Sequence, residues 1–252
     1  MNHAIKATAH EIKIRRVAYF YSAAERRSRG ALWPSFAPAL IRGDKQKIAQ
    51  AFRVAAGLED VEFTESLDCA PGSVQPVISV SEDGERQLSL MRWGFKLPDR
   101  LLFNVRAEGV EKAKFWKDKF QNQRCIVPAT SYFEWQDCDT KPKPKYEIDV
   151  PGGGLFGIAG VWASWKNPRT DQWEKTFSTF TTEPNALIAK IHIRQPVILE
   201  FGELGEWLSE SERPPSHLLR ITSEKRMTMT QVSSGRPAGP RSGVATTGSL
   251  FD

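Results

Sequence analysis

Apolar and polar positions along this chain repeat with two different periods. Residues 44–57, DKQKIAQAFRVAAG, put Ile48, Phe52 and Ala55 at helical spacing, with Asp44 as N-cap and Gly57 beyond the end. VQPVISV and RQLSLMRW flank SEDGE, whose Asp-Gly pair predicts a hairpin. GVEKAKFWKDKFQNQ reads as a second helix, amphipathic and lysine-rich on its outer side. From residue 124 the strand period takes over: RCIVP, SYFEWQ, KYEIDV, LFGIAGVWASW and WEKTFSTFTT follow one another, separated by Pro/Gly-rich breaks. TTEPNALIAKI predicts a short helix with Thr182 as cap, and HIRQPVILE leaves it extended because Pro196 disfavours helix at Gln195. RMTMTQVS alternates as a late strand. Antiparallel strands with interspersed helices, and no βαβ alternation, define a single α+β domain.

The ends differ from this body. Residues 1–34 hold seven bases and two acids, a net of +5, which equals the charge of the whole chain. The rest is therefore neutral overall, so the basic balance points to nucleic acid only through the N-terminal arm. Residues 1–35 are expected to form a basic, partly disordered extension, 36–230 the folded domain, and the Gly/Pro/Ser-rich residues 231–252 a disordered tail. Cys69, Cys125 and Cys138 show neither disulfide nor metal-ligand spacing, which predicts a reducing compartment with no metal and no cofactor. No apolar run suits a membrane helix and no signal peptide stands out, so a cytoplasmic location is expected.

Three stretches could carry chemistry. In RCIVPATSYFEWQ, strand alternation turns Glu134 away from Phe133 and Trp135. A carboxyl set among aromatics has its acid form favoured, as a general acid or base near neutral pH requires; an edge-strand glutamate facing water is the plainer reading. FNVRAEG lines up Asn104, Arg106 and Glu108, a row suited to a sugar-phosphate backbone or to a structural Arg106–Glu108 salt bridge. IHIRQPVIL sets His192 beside Arg194 at a junction, as a proton carrier or as a packed or capping histidine. Trp93, followed by a glycine, is a candidate stacking platform, although most of eight tryptophans must be core. The basic loop DTKPKPKY, residues 139–146, reads as solvated.

MRWGFKLP, FNVRAEGVEKAKFW, RCIVPATSYFEWQ and TTEPNALIAKIHIRQPVIL, in that order, resemble the SOS response-associated peptidase (SRAP) family of abasic-site sensors; DCAPGSVQPVI resembles its Asn-x-Ala-Pro segment, with Asp68 in place of asparagine. The resemblance covers roughly residues 36 to 205. It implies a twisted, barrel-like, mainly antiparallel sheet with a few flanking helices and a groove for single-stranded DNA. It further implies that Asn104, Arg106 and Arg194 hold the DNA, that Trp93 and Trp135 wall the groove, and that Glu134 and His192 move protons. The implied partner is single-stranded DNA with abasic sites, bound by a monomer associated with the nucleoid.

One departure bears on the chemistry. Members of this family carry cysteine directly after the initiator methionine, and its amine and thiol close a thiazolidine on the abasic aldehyde. Here the chain opens MNHAIKATAH, the first cysteine is Cys69, and the family position falls near Phe36. Covalent crosslinking is therefore expected to be impaired. Either the chain is a divergent member or its first 35 residues hide the true start. A non-catalytic single-stranded DNA-binding module and a Cys/His peptidase are the alternative functions, the latter without a nucleophile placed beside Glu134 and His192.

Overall fold

Strand alternation governs most of the domain. A computed structural model of the chain describes residues 39–40, 45–63, 69–139, 142–150 and 154–232. They belong to the second of two units, Ser35–Asp252. The basic extension, Phe36, Asp44, Asp68 and the tail beyond Val232 lie outside the described residues.

In chain order the elements are β1 (Ala39–Leu40), α1 (Lys45–Phe52), β2 (Val74–Val80), β3 (Arg86–Trp93), β4 (Phe95–Lys96), β5 (Leu101–Leu102) and β6 (Asn104–Arg106). Then follow α2 (Lys117–Asn122), β7 (Arg124–Ala129), β8 (Ser131–Trp135), β9 (Lys145–Asp149), β10 (Phe156–Lys166) and β11 (Trp173–Thr182). The chain continues through β12 (Gln195–Pro196), β13 (Ile198–Leu199), α3 (Leu204–Leu208) and β14 (Thr228–Val232). The last strand takes in Gln231 and Val232, the first two residues assigned above to the tail.

Successive pairings β11–β3–β2–β7–β10 return to β11, so these five strands form a closed ring. β6 and β12 pair with β11, β13 pairs with β10, and a four-stranded sheet β1-β8-β9-β14 accompanies the ring. The domain is α+β, a twisted barrel-like sheet, mainly antiparallel, with a few flanking helices. Two parallel pairings, β11 with β3 and with β6, interrupt the antiparallel pattern.

Because neighbouring residues on a strand point to opposite faces, the large sheet has two cores. Ile78, Ile126, Ala159 and Phe180 pack with Phe52 of α1, Phe120 of α2 and Trp207 of α3. On the other face Trp93, Val127, Ile158 and Phe177 pack with Tyr132 and Ile148 of the smaller sheet. Each fully buried aromatic contributes roughly 1.5–3 kcal/mol. Arg124 joins α2 and α3 to β7: its guanidinium donates to the carbonyls of Phe120 and Gln121 at one helix end and of Trp207 and Ser209 at the other.

The second predicted helix is broken. A 3-10 turn, Val110–Lys112, is followed by extended Ala113 before α2 begins. The aromatics decide this: Phe115 and Trp116 turn inward to meet Phe95 at 5.7 and 5.5 Å between ring centroids. Lys119, read as an outer-face lysine, lies 4.0 Å over the Phe115 ring.

Candidate functional site

β8 positions the carboxyl. Tyr132 and Glu134 share one side of the strand, and Tyr132 lies in the second core. Glu134 is 0% exposed, and neither carboxyl oxygen makes a hydrogen bond within the described residues. Burial pushes its pKa well above the usual carboxyl range; the nearby Trp135 backbone N–H opposes the shift without forming a hydrogen bond. Burial therefore favours the protonated form of Glu134.

His192 follows a 3-10 turn, Ile188–Lys190, instead of the longer helix expected. The side chain that opens the turn is Asn185, not Thr182, which stays in β11. Asn185 Oδ1 accepts the N–H groups of Leu187 and Ile188 at 3.0 and 2.9 Å, and its Nδ2 donates to Thr222 O at 2.9 Å. Gln195 closes the loop: its Oε1 accepts Asn185 N–H at 2.8 Å. The imidazole is held by backbone, with Nδ1 2.8 Å from Arg194 O and 3.1 Å from Arg194 N; the tautomer decides which bond forms. Asp137 N–H, just past β8, donates to Ile191 O at 2.9 Å and ties the two segments together.

The result is a His192 Nδ1 to Glu134 Oε1 separation of 3.6 Å. That is too long for a hydrogen bond. Burial lowers the His192 value below that of an ordinary imidazole, against the raising effects of the Arg194 backbone and the Asp137 charge. Burial pushes Glu134 up and His192 down, so it favours the uncharged form of each partner over an ion pair.

Arg194 extends the site. Its guanidinium grips Glu108 bidentately at 3.0 and 2.7 Å and donates to Thr181 O at 2.6 Å. Burial alone would raise the Glu108 carboxyl, but the bond and charge of Arg194 together with the backbone N–H groups of Glu108 and Glu183 hold it below its ordinary value. The Arg106–Glu108 alternative thus fails, and Arg194 reaches the site already neutralised. Asn104 is half-buried, with Oδ1 accepting from Thr179 Oγ1 at 3.0 Å. Arg106, opposite Thr181 in register, is exposed, with no side-chain partner among the described residues.

Two expected site residues lie elsewhere. Trp93 is 2% exposed, stacked on Phe177, with its indole N–H donated to Phe103 O, and presents no open face to a base. Trp135 points to the side of β8 away from Glu134, where Lys145 lies 5.1 Å over its ring. The site instead draws on Glu108, Asn185 and Gln195 as positioning residues; Asn185, directly after Pro184 and before an apolar run, carries a capping signal in the sequence. A cleft of about 570 Å³ between the β2–β3 turn and α3 includes none of these residues, and its Glu82, Asp83 and Glu210 oppose a phosphate ligand.

The sequence profile of the family described as "SOS response associated peptidase (SRAP)" matches residues 39–235. The chain belongs to the SRAP family. Among its relatives, the abasic site processing protein YoqW of Bacillus subtilis (strain 168) is 31% identical over 179 residues, covering 68% of this chain and 79% of the relative. The abasic site processing protein HMCES of Xenopus tropicalis is 26% identical over 195 residues, or 64% of this chain and 58% of the relative. A crystal structure of a Bacteroides thetaiotaomicron protein has the same fold, with a TM-score of 0.66 at 22% identity over 80% of this chain and 96% of that one. The SRAP assignment sets the buried acid–imidazole pair in a family whose relatives carry abasic-site names.

Proposed function

We propose that this protein binds single-stranded DNA as a monomer in the nucleoid and recognises abasic sites, with Glu134 and His192 as proton-transfer residues and covalent capture impaired. The carrying observation is the buried Glu134 carboxyl, without a hydrogen-bond partner among the described residues and 3.6 Å from the His192 imidazole, on a domain whose strand β6 presents Asn104 and an exposed Arg106. A carboxyl with only a structural role would have its oxygens hydrogen-bonded at such depth.

The geometry supports opening of the abasic sugar. Glu134 delivers its proton to the ring oxygen, the bond from that oxygen to the anomeric carbon breaks, and His192 takes the proton from the anomeric hydroxyl, leaving an aldehyde. Arg106 holds the neighbouring phosphate. The positions of the thiols support the reading of impaired capture. Cys69 Sγ lies 3.0 Å from the Gln75 side-chain oxygen in the core, burial pushes the Cys125 thiol well up, and Cys138 sits in the β8–β9 loop. All three are internal, with amines locked in peptide bonds.

The test is incubation with a single strand bearing one abasic site, followed by a denaturing gel and by timing capture of the open aldehyde with a hydroxylamine probe. The expected result is accelerated probe capture without a stable protein–DNA band, and loss of acceleration in Glu134→Gln with binding retained. Equal affinity for damaged and undamaged strands, with no acceleration, would favour the non-catalytic binding module.

A further inference from the structure

The β10–β11 hairpin carries a surface that the proton-transfer site does not use. Its register puts Trp162 opposite Phe177, Ser164 opposite Lys175 and Lys166 opposite Trp173, so these side chains share one face. Toward the far end of β11, Thr179 and Thr181 continue that face and pair with Asn104 and Arg106 of β6. One side of β11 therefore runs from Arg106 to the hairpin tip.

Along that face the chemistry changes in order. Beside Arg106 and Asn104 it is polar; at Phe177 and Trp93 it is covered by the second core. Near the tip it opens again onto aromatics and bases. Trp173 is 68% exposed, and Lys175 Nζ lies 5.5 Å over the half-buried ring of Trp162. Lys166, paired with Asp171 at 2.7 Å, and exposed Arg169 complete the tip. The other nearby acid, Glu174, points to the opposite face, where Arg92 and Asn167 hold it. Solvent-facing indole alternating with ammonium groups suits unpaired bases stacked on a platform with their phosphates beside cations, and it does not suit a basic or purely apolar partner.

We propose that this hairpin face binds the single strand several nucleotides to one side of the lesion, with Trp173 as a stacking platform and Lys175 as a phosphate contact. The inference rests on the DNA reading above and adds a second point of attachment to it. Eight residues separate Trp173 from Thr181, about 27 Å of strand at roughly 3.4 Å per residue. A strand of about five nucleotides centred on the lesion cannot reach the tip, whereas one of about twenty can.

Binding of both lengths, each with a central abasic site, is measured by fluorescence anisotropy for the wild type, Trp173→Ala, Trp173→Phe, Lys175→Glu and Arg106→Ala. Thermal melts confirm the fold of each variant. Trp173→Ala and Lys175→Glu are each expected to weaken the long strand about tenfold and leave the short one unchanged. Trp173→Phe, which keeps a stacking ring, restores most of the loss. Extending the short strand on only one side should recover the long-strand affinity. If the short strand depends on Arg106 while both hairpin variants bind the long strand like the wild type, the hairpin proposal fails and the DNA reading stands. If the wild type binds neither strand, the DNA reading fails and this inference falls with it.

Discussion

Burial raises the pKa of the Glu134 carboxyl, and that shift has a measurable pH signature. Because burial raises its folded-state value, its stabilising contribution is complete below the unfolded carboxyl value of about 4.3 and is lost as pH rises toward the folded value. Glutamine in its place cannot ionise. Thermal melts from pH 4 to 9 should therefore show Glu134→Gln gaining on the wild type as pH rises, by about 2–4 °C for each kcal/mol. His192 works in the other direction: its lowered value removes stability as pH falls below about 6.5, in both proteins alike, so it cancels in the comparison. A wild type that outgained the variant at high pH would mean a charged, paired carboxylate. Strand alternation alone pointed Glu134 away from Phe133 and Trp135, so its orientation was readable in the residue pattern. Its partner was not, because 58 positions separate it from His192 and the contact depends on the Asp137–Ile191 backbone bond. Trp93 shows the converse failure: composition cannot say which of eight tryptophans faces solvent, and packing against Phe177 put this one inside.

At the scale of elements, the site depends on a short turn and on the end of one strand. Asn185 satisfies two backbone N–H groups that open the turn leading to His192. Asn185→Ala should cost about 1–3 kcal/mol in unfolding free energy by denaturant titration and slow probe capture, since the imidazole loses its fixed approach to Glu134. Glu108→Gln separates two roles. It leaves Arg194 without its neutralising carboxylate, so affinity for an undamaged single strand should rise and its salt dependence steepen by up to about one unit. Aldehyde opening should fall, because Arg194 supplies the backbone that holds His192. Unchanged salt dependence in anisotropy titrations would show that Arg194 does not face the strand. Strand positions such as β2 and β3 were visible in alternation and turn chemistry down to their ends. The break between Val110–Lys112 and α2 was not, because the lysines keep helical spacing while Phe115 and Trp116 answer to rings on other elements.

Across the whole molecule, ring closure and charge placement set what the domain can do. The parallel pairings of β11 with β3 and β6 carry no local sequence signal, yet the first helps close the ring and the second brings Asn104 and Arg106 alongside Thr179 and Thr181 and so beside the Arg194 clamp. Closure is tight at Gly160, where a Cβ would come within 2.9 Å of both Cys125 Sγ and the Ser178 carbonyl oxygen. The backbone contact cannot yield as a flexible side chain can, so Gly160→Ala should destabilise by about 1–3 kcal/mol or more, read as a lowered denaturant midpoint. Charge follows a different logic. Outside the N-terminal arm the chain has no net charge, so on the proposed reading individual unneutralised bases, not the domain's net charge, supply the affinity for DNA. Arg106 is the one at the site without a partner among the described residues. Arg106→Ala should weaken binding of damaged and intact single strands by a similar factor and reduce the slope of log affinity against log salt by about one unit. Titrations at three or more salt concentrations measure that slope directly; a variant with wild-type slope and affinity would place the phosphate contact away from β6.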